Sequence, residues 1–257
     1  PQGTLFGRNA VGGAIISQTR NPEFDGMHLD LHTEWASFDA QLARIYANAP
    51  LAEALALNVS TAISATDNHS TGTQGIPARP IPRDGGHDSR VKLRWQPGEA
   101  WDIKLAASQR EVSGGRYLVG FNAQPSELGS SFGIQAQPGR HGSLDARTEG
   151  DSVNEVLYTD WLYQAPWFDL RILASDQSMN TRGTRDFDGS PQSLVNLEAV
   201  SQFIEAQSAE VQLVSNGWAG PDWLGWIAGA YLFRAGQGVG AATFYFGGHD
   251  LGGGSLA

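Results

Sequence analysis

Two pairs of side chains in this sequence have spacings that could bind a metal ion. His28 and His32 are four residues apart, the separation that would place two zinc ligands on one face of a helix. Asp186 and Asp188 lie in the string RDFDGS, which is similar to the start of a calcium-binding loop. That string lacks the third acidic position and the downstream glutamate of such a loop. We therefore interpret this string as a surface turn. Whether the two histidines could bind one zinc ion depends on whether they lie on a helix or on a strand.

The segment 26–35 has a period of two, which predicts a strand. Its mostly apolar positions are Met27, Leu29, Leu31, Thr33 and Trp35. Its polar positions are His28, Asp30, His32 and Glu34. Along a strand the two histidines would be about 13 Å apart, too far for one zinc ion. The pattern therefore predicts a polar row that faces a hydrated interior, and no metal site.

A second row of alternating residues is basic and consists of Arg90, Lys92 and Arg94. These side chains could guide an anionic substrate, or they could pair with carboxylates, among them Asp102 across a hairpin. We favour the structural role and predict that this row faces the same interior.

No residue pattern indicates catalysis. The sequence has no cysteine, no G-x-S-x-G and no H-E-x-x-H. Gly7 and Gly12 have the spacing of a phosphate-binding loop, but Gly13 and Ala14 stand where Lys and Ser or Thr are required. The sequence therefore predicts a protein that is not an enzyme, with no catalytic or metal-binding residues and no cofactor. It leaves the substrate-binding residues unknown.

Composition narrows the class of protein. The 257 residues are 40% hydrophobic and carry a net charge of -10, with 17 basic residues spread along the chain. A nucleic-acid interface needs clustered basic residues, so we expect no nucleic-acid partner. No run approaches the roughly 18 apolar residues of a transmembrane helix. Membrane-spanning β-strands remain possible, because their alternation averages to a polar composition.

Alternation recurs along the chain and predicts about nine strands, each near the roughly 9–11 residues that cross a bilayer. The predicted short connections are 49–53, 97–100, 164–167 and 215–222. The predicted long ones are 65–88, 111–152 and 176–205, and the glycine-rich tail 236–257 indicates a loop or an interrupted strand. Short turns on one side and long loops on the other are typical of outer-membrane barrels.

Tryptophans support a membrane location. Six of the eight lie within a few residues of a predicted short turn: Trp95, Trp101, Trp161, Trp167, Trp218 and Trp223. An interfacial aromatic belt has this arrangement, because indole combines an apolar body with one polar N–H. The alternatives are a passive porin-like barrel and a secreted β-sandwich binding domain. The sandwich would require the rows 55–63 and 91–95 to pack against a second sheet.

Residues 1–15 read PQGTLFGRNAVGGAI, and this string closely resembles the C-terminal end of the plug domain of TonB-dependent outer-membrane receptors. The matching positions are Pro1, Gln2, Gly3, Thr4, Leu5, Phe6, Gly7, Arg8, Asn9, Gly12 and Gly13. The segments 46–57 and 210–233 are similar to barrel strands of the same family. The resemblance implies that residues 1–22 are the end of a plug and its linker, and that residues 23–257 are the N-terminal part of the barrel. It argues against a porin, which has no plug.

The resemblance further implies active transport across the outer membrane of a Gram-negative bacterium. In this family a plug lies inside an antiparallel barrel of 22 strands, and the TonB–ExbB–ExbD complex pulls on a TonB box near the start of the plug. The cargo is a scarce or bulky solute of the siderophore, cobalamin, haem or oligosaccharide type. The sequence contains no TonB box, so we expect an all-β piece of a larger receptor, in contact with outer-membrane lipid and unable to transport alone. The segments 65–88 and 111–152 are the predicted ligand-capturing loops.

Overall fold

A computed structural model describes residues 18–115, 121–216, 224–247 and 249–256, with side chains for all but 241 and 249–256. The plug-like motif, residues 1–13, lies outside this range, as do Trp218 and Trp223. In the described residues no helix is long and apolar enough to cross a membrane. The strands are β1 (His28–Ala36), β2 (Ala40–Ala52), β3 (Leu55–Thr66), β4 (Thr71–Gln74), β5 (Arg79–Pro80), β6 (Asp84–Trp95), β7 (Trp101–Gly114), β8 (His141–Leu144), β9 (Gly150–Gln164), β10 (Phe168–Asp186), β11 (Val195–Ser215), β12 (Ile227–Phe246) and β13 (His249–Leu256), with one short helix, α1 (Glu127–Ser131).

One large sheet dominates the fold. Its ten strands are ordered β1-β2-β3-β6-β7-β9-β10-β11-β12-β13, and every neighbouring pair is antiparallel. Each strand of this sheet pairs with the strand that precedes it in the same sheet, as in an up-and-down barrel. The predicted all-β antiparallel fold is confirmed, with ten strands where alternation predicted about nine.

The two faces of the large sheet differ in chemistry. Directly paired residues of antiparallel strands share a face, so the register identifies both sets. The polar face carries Asn58, Lys92, Lys104 and Asp160 on successive strands. The apolar face carries one row in which Leu57 pairs with Leu93 and Leu93 with Leu105, and further apolar residues above and below it. We call these the polar face and the apolar face.

The apolar side chains form a band rather than covering the whole apolar face. On β10 the positions Leu170, Ile172 and Ala174 are followed by Asp176 and then by further polar residues up to Arg182. The neighbouring strands change at the same level, from Leu105 and Ala107 to Gln109 on β7, and from Leu157 to Glu155 on β9. On β7, β9 and β10 the band covers about seven residues, or about 20 Å. That length is close to the ~25 Å apolar height of outer-membrane barrels.

This band is exposed in the structure. Leu31 is 69% exposed, Ile63 59% and Trp95 47%. No second sheet covers the rows 55–63 and 91–95 in the described part of the chain, which contains only one further, three-stranded sheet. A β-sandwich would bury these residues, so its central expectation is not met.

After the short first turn, 37–39, the connections separate by end. At the end of the sheet that carries Trp95 and Trp167 they are short: 53–54, 96–100 and 165–167. At the opposite end lie 67–83 and 115–149, which shorten the predicted loops 65–88 and 111–152. One prediction was wrong. The predicted loop 176–205 is mostly strand, because β10 runs to Asp186 and β11 begins at Val195. The described part of the tail 236–257 is strand up to Phe246 and again over β13, so of its two predicted forms, a loop or an interrupted strand, the interrupted strand is confirmed.

A small sheet joins the two long connections. It has the order β5-β4-β8, and β4 from connection 67–83 pairs in parallel with β8 from connection 115–149. Much of the buried material of the described chain lies here or beside it: Ile134, Leu144, Ala146, Gln74, Thr148, Asp186, Asp188, Ser190 and Asn196. We call the assembly of connections 67–83, 115–149 and 187–194 the loop cap. The core therefore sits in the loop cap, while the large sheet forms an open wall beneath it.

Candidate functional site: the polar face and the loop cap

A row of ion pairs crosses the polar face near the short-turn end. Arg94 on β6 donates to both oxygens of Asp102 on β7, at 2.8 and 3.0 Å. Lys104 lies 3.3 Å from Asp102 and 3.5 Å from Asp160 on β9. Arg171 on β10 donates to both oxygens of Asp160, at 2.9 and 3.1 Å. Four strands are therefore linked by alternating charges, which we call the ion-pair ladder, and Asp102 is the hairpin partner that we expected for Arg94.

The segment 18–26 crosses the same face and is held by polar side chains. Asn48 accepts a hydrogen bond from the Glu23 N–H and donates to the Glu23 carbonyl, both at 3.0 Å. Asn58 donates to the Arg20 carbonyl at 3.2 Å, and Lys92 donates to the Thr19 carbonyl at 3.1 Å. The two asparagines are 2% and 4% exposed, so the segment covers them. Segment 18–26 is therefore held against the polar face of the large sheet, whose first strand follows it in sequence.

The register fixes where the predicted polar rows lie. On β1, His28 pairs with Asn48 and His32 with Arg44, which places that row on the polar face together with Asp30 and Glu34. Arg90, Lys92 and Arg94 share the face. His28 and His32 do not come together at one site: His28 approaches Asp25 at 3.1 Å and His32 approaches Glu34 at 3.7 Å. Whether this face lines the lumen of a closed barrel stays a prediction.

A cavity of about 840 Å³ opens beside the polar face, toward the loop cap. Its lining comes from β2, β3, β6, β7, β9, β10 and β11, so the sheet curves around one common space. Polar-face residues in the lining include Arg44, Ser60, Asp88, Arg110 and Gln202. Charges of both signs and hydroxyl groups therefore face a space large enough for a small-molecule ligand.

The loop cap is fastened by buried hydrogen bonds. The Gln74 side chain accepts from the N–H and the hydroxyl of Thr148, at 2.9 and 2.7 Å, and both residues are almost completely buried. Gln137 donates to the Gly189 carbonyl at 2.9 Å, and the Asp145 N–H donates to the Ser190 carbonyl at 3.2 Å. These bonds connect residues more than 40 positions apart, so they make the three connections one unit above the polar face.

Three carboxylates meet inside the loop cap and form what we call the acid cluster, Asp145, Asp186 and Asp188. Asp186 lies ten residues beyond Asp176, or about 33 Å farther along β10. Burial, followed by the charge of Asp188 and of Asp145, raises the pKa of Asp186 to about 8. The Gly189 N–H donates to Asp186 Oδ1 at 2.7 Å and opposes that rise. The sequence predicts an ordinary surface turn at Asp186 and Asp188, but the two residues are only 4% and 8% exposed.

Most of this site was not predictable from neighbouring residues. Asp145 is 41 positions from Asp186, and no motif links them. Asp160 joins the ion-pair ladder from the strand after the predicted Arg94–Asp102 hairpin. The only available signals were the D-x-D spacing and a carboxylate at a polar-face position of β9.

No protein-family profile and no curated protein matches the sequence. Solved structures do match the fold. The ferric yersiniabactin uptake receptor FyuA from Yersinia pestis aligns with 97% of this chain, at a TM-score of 0.73 and 16% identity. The ferric-catecholate import receptor Fiu from Escherichia coli K12 aligns with 95%, at a TM-score of 0.56 and 11% identity.

The chain spans only 37% of FyuA and 42% of Fiu. At these identities the likeness concerns the fold, and it covers nearly the whole sheet with its alternating faces. The large sheet therefore has the fold of part of the antiparallel barrel of TonB-dependent outer-membrane receptors.

Proposed function

We propose that this chain forms part of the transmembrane barrel of an outer-membrane receptor for TonB-coupled active uptake. The observation that carries the proposal is the ten-stranded antiparallel sheet with an exposed apolar band on one face and a polar, curved opposite face. Water would make so large an exposed apolar band unfavourable, whereas lipid would cover it. The role is transport, and it assigns no catalytic step to the chain.

The aromatic residues support the orientation. Trp95 pairs with Ile103 and Ile103 with Trp161, so both tryptophans share one row beside the short turns. Trp101 and Tyr163 contact each other next to that row, with ring centroids 4.7 Å apart and the ring planes tilted by 41°. Aromatic belts occur at both lipid interfaces, and the short turns beside this one are typical of the periplasmic side, which supports an extracellular position for the loop cap.

The segment 18–26 supports a plug-bearing receptor over a passive porin. It lies on the polar face at the periplasmic end, held by Asn48, Asn58 and Lys92. A chain that leaves a plug inside a barrel has to cross this position before it enters the first strand. We therefore propose that residues 1–22 end a plug domain, and that the TonB–ExbB–ExbD complex acts on a part of the receptor that precedes them.

Uptake experiments test the proposal. The complete receptor that contains this chain would be produced in a Gram-negative host that lacks its own siderophore receptors, and outer membranes would be separated on a sucrose gradient. Uptake would be followed for iron-loaded phenolate and catecholate siderophores, then for cobalamin, haem and maltooligosaccharides. We expect uptake of one class that disappears in a host without TonB and after dissipation of the proton gradient.

Other outcomes would refute parts of the proposal. Recovery from the periplasm without detergent would exclude the membrane location, and uptake that persists without TonB would indicate a passive barrel. The loop cap is the proposed capture surface. Deletion of residues 121–137 should therefore lower uptake at limiting solute concentration, and unchanged uptake would exclude capture there.

A further inference from the structure

The acid cluster has the geometry of a site for one divalent cation. Asp145, Asp186 and Asp188 each offer a carboxylate oxygen, and these atoms lie within 4.8 Å of one another. Ca²⁺ binds oxygens at about 2.3–2.6 Å, so two of its ligands can be up to about 5 Å apart. None of the three carboxylates forms an ion pair with a Lys or Arg of the described residues. The cluster therefore holds up to three negative charges without a protein cation.

Two of the carboxylates keep an oxygen without a partner. Asp186 Oδ1 accepts from the Gly189 N–H, whereas its buried Oδ2 accepts no hydrogen bond from the described residues. Asp145 Oδ2 accepts from Asn196 at 2.7 Å, and its buried Oδ1 has no partner in the same set. The Asp186 and Asp145 carboxyl groups are close enough to hydrogen-bond to each other when one carries a proton. A cation bound between them would replace that contact and compensate the buried oxygens.

Asn196 provides an independent indication of a ligand. This side chain at the start of β11 is 4% exposed and reaches into the cluster through its amide group. Its Oδ1 is buried and accepts no hydrogen bond from the described residues. Rotation of the amide by half a turn exchanges its oxygen and nitrogen, so the same side chain can present a neutral oxygen to a cation. A buried amide carbonyl is a frequent Ca²⁺ ligand.

We propose that Asp145, Asp186, Asp188 and Asn196 form a Ca²⁺ site inside the loop cap. All four side chains offer oxygen and none offers nitrogen or sulfur as an acceptor, which favours a hard cation over zinc or copper. Mg²⁺ requires near-ideal octahedral geometry and retains several waters, whereas Ca²⁺ accepts an irregular set of six to eight oxygens. Carbonyl groups and water can complete its coordination.

The site would fasten the loop cap to the sheet. Asp145 belongs to connection 115–149, Asp186 ends β10, Asp188 belongs to connection 187–194 and Asn196 opens β11. At the proposed site, Asp188 already accepts from the Val195 N–H at 2.9 Å, and Asn122 donates to the Asp188 carbonyl at 3.1 Å. Bound Ca²⁺ would therefore hold two connections and two strand ends together, on the side from which a solute enters.

Calorimetric titration of the full-length protein in detergent tests the site. After removal of metals with a chelator, we expect one Ca²⁺ per chain with a dissociation constant of about 10⁻⁴–10⁻³ M, the range of extracellular calcium modules. MgCl₂ should bind at least about tenfold more weakly. Ca²⁺ should also slow tryptic cleavage at Arg147, an exposed residue two positions from Asp145.

Four variants locate the binding. Asp186→Asn and Asp145→Asn should each weaken Ca²⁺ binding at least about tenfold. Asn196→Asp, which adds a fourth carboxylate, should tighten binding while lowering the melting temperature of the metal-free protein. Asp25→Asn changes the exposed group Glu23, Asp25 and His28 and should leave Ca²⁺ binding unchanged.

Several results would overturn the proposal. They are the absence of binding up to about 10 mM CaCl₂, unchanged binding in both Asp→Asn variants, or unchanged or weaker binding in Asn196→Asp. If circular dichroism shows that Asp186→Asn does not fold, Asp145→Asn decides, because Asp145 lies in a connection and outside the strands of the large sheet.

Discussion

Asp160 shows how a single residue organises the polar face. It is 6% exposed and contacts Arg171 and Lys104, which come from the strands on either side. The Arg94–Asp102 pair could be anticipated, because both residues lie on one hairpin eight positions apart. The contribution of Asp160 could not be anticipated, because its position opposite Lys104 depends on the register between β7 and β9, which the long connection 115–149 separates in sequence.

Replacement of Asp160 by Asn should destabilise the barrel measurably. The amide keeps the shape of the side chain but leaves Lys104 and Arg171 without their shared anion, close to Arg94 and to one remaining carboxylate, Asp102. We expect the free energy of unfolding to fall by about 2 kcal/mol, the order of a hydrogen-bonded charge interaction. Urea unfolding of the protein in lipid vesicles, followed by tryptophan fluorescence, measures the change.

Asp30→Asn is the matched control for that substitution. Asp30 pairs with Arg20 at 2.7 Å on the same face, but the two side chains are 59% and 66% exposed. Solvent screens such a pair, so its loss should cost less than about 1 kcal/mol. Equal effects of the two substitutions would show that burial does not distinguish the ladder from a surface pair.

At the scale of elements, the strands continue where alternation ends. The pattern on β1 and β3 predicted strands correctly because one face there is apolar and the other polar. Above the apolar band both faces of β10 are polar, with Ser178 and Arg182 on one and Gln177 and Thr181 on the other. A strand that projects beyond lipid has no face to bury and loses its period-two signal. The absence of alternation in 176–205 therefore predicts a loop where the structure has the ends of two strands.

Substitution of Asn48 by Ala should release the segment 18–26. Asn48 bonds both polar groups of the Glu23 backbone and the Gly26 carbonyl, all at 3.0 Å. Loss of these hydrogen bonds should lower the local stability of the segment by about 1–3 kcal/mol. We expect trypsin to cleave after the exposed Arg20 at least about tenfold faster.

Asn154→Ala is the control for Asn48→Ala. Asn154 lies on the same polar face and accepts from Gln177 at 2.9 Å, far from the segment 18–26. Its replacement should leave cleavage after Arg20 at the wild-type rate. A similar acceleration in both variants would mean that cleavage reports a general loosening of the sheet.

The loop cap depends on one close backbone approach. Gly72 on β4 has φ +130°, and a Cβ there would overlap the carbonyl oxygen of Gly142 on the parallel strand β8. Gly72→Ala should therefore separate the two strands. Hydrogen exchange would detect the change at the N–H of Thr71 and of Gly75, which donate to Arg140 and Leu144. We expect exchange there to accelerate at least about tenfold.

Gly139→Ala separates backbone strain from this contact. Gly139 lies in the same connection with φ +91°, and a Cβ there would meet nothing within 4 Å. The substitution should cost about 1–2 kcal/mol of backbone strain and leave β4 and β8 paired. If it opened the small sheet as much as Gly72→Ala does, the contact with Gly142 would not be the cause.

At the scale of the whole molecule, the distribution of residues is inverted relative to a water-soluble domain. The exposed set includes Leu29, Leu31, Ile63 and Leu157, each at least 59% exposed. The buried set of the described residues is mostly polar, from Asn48 and Asn58 to the acid cluster. An apolar solvent around the band and a hydrated interior account for both observations.

A pair of neighbouring substitutions tests this inversion. Ile172 lies in the apolar band between Trp161 and Val211, whereas Leu173 lies on the polar face between Asp160 and Glu210. Arg at 172 would place a charge in lipid and should cost about 2–4 kcal/mol. Arg at 173 would meet two carboxylates and should be tolerated. The amount of folded protein in purified outer membranes, measured by its heat-dependent electrophoretic mobility, should therefore fall sharply for Ile172→Arg and stay near wild type for Leu173→Arg. A soluble protein with a hydrated apolar face would tolerate both variants, because Arg is tolerated on an exposed surface. Similar amounts of folded protein in the two variants, or the reversed order, would refute a lipid-facing band.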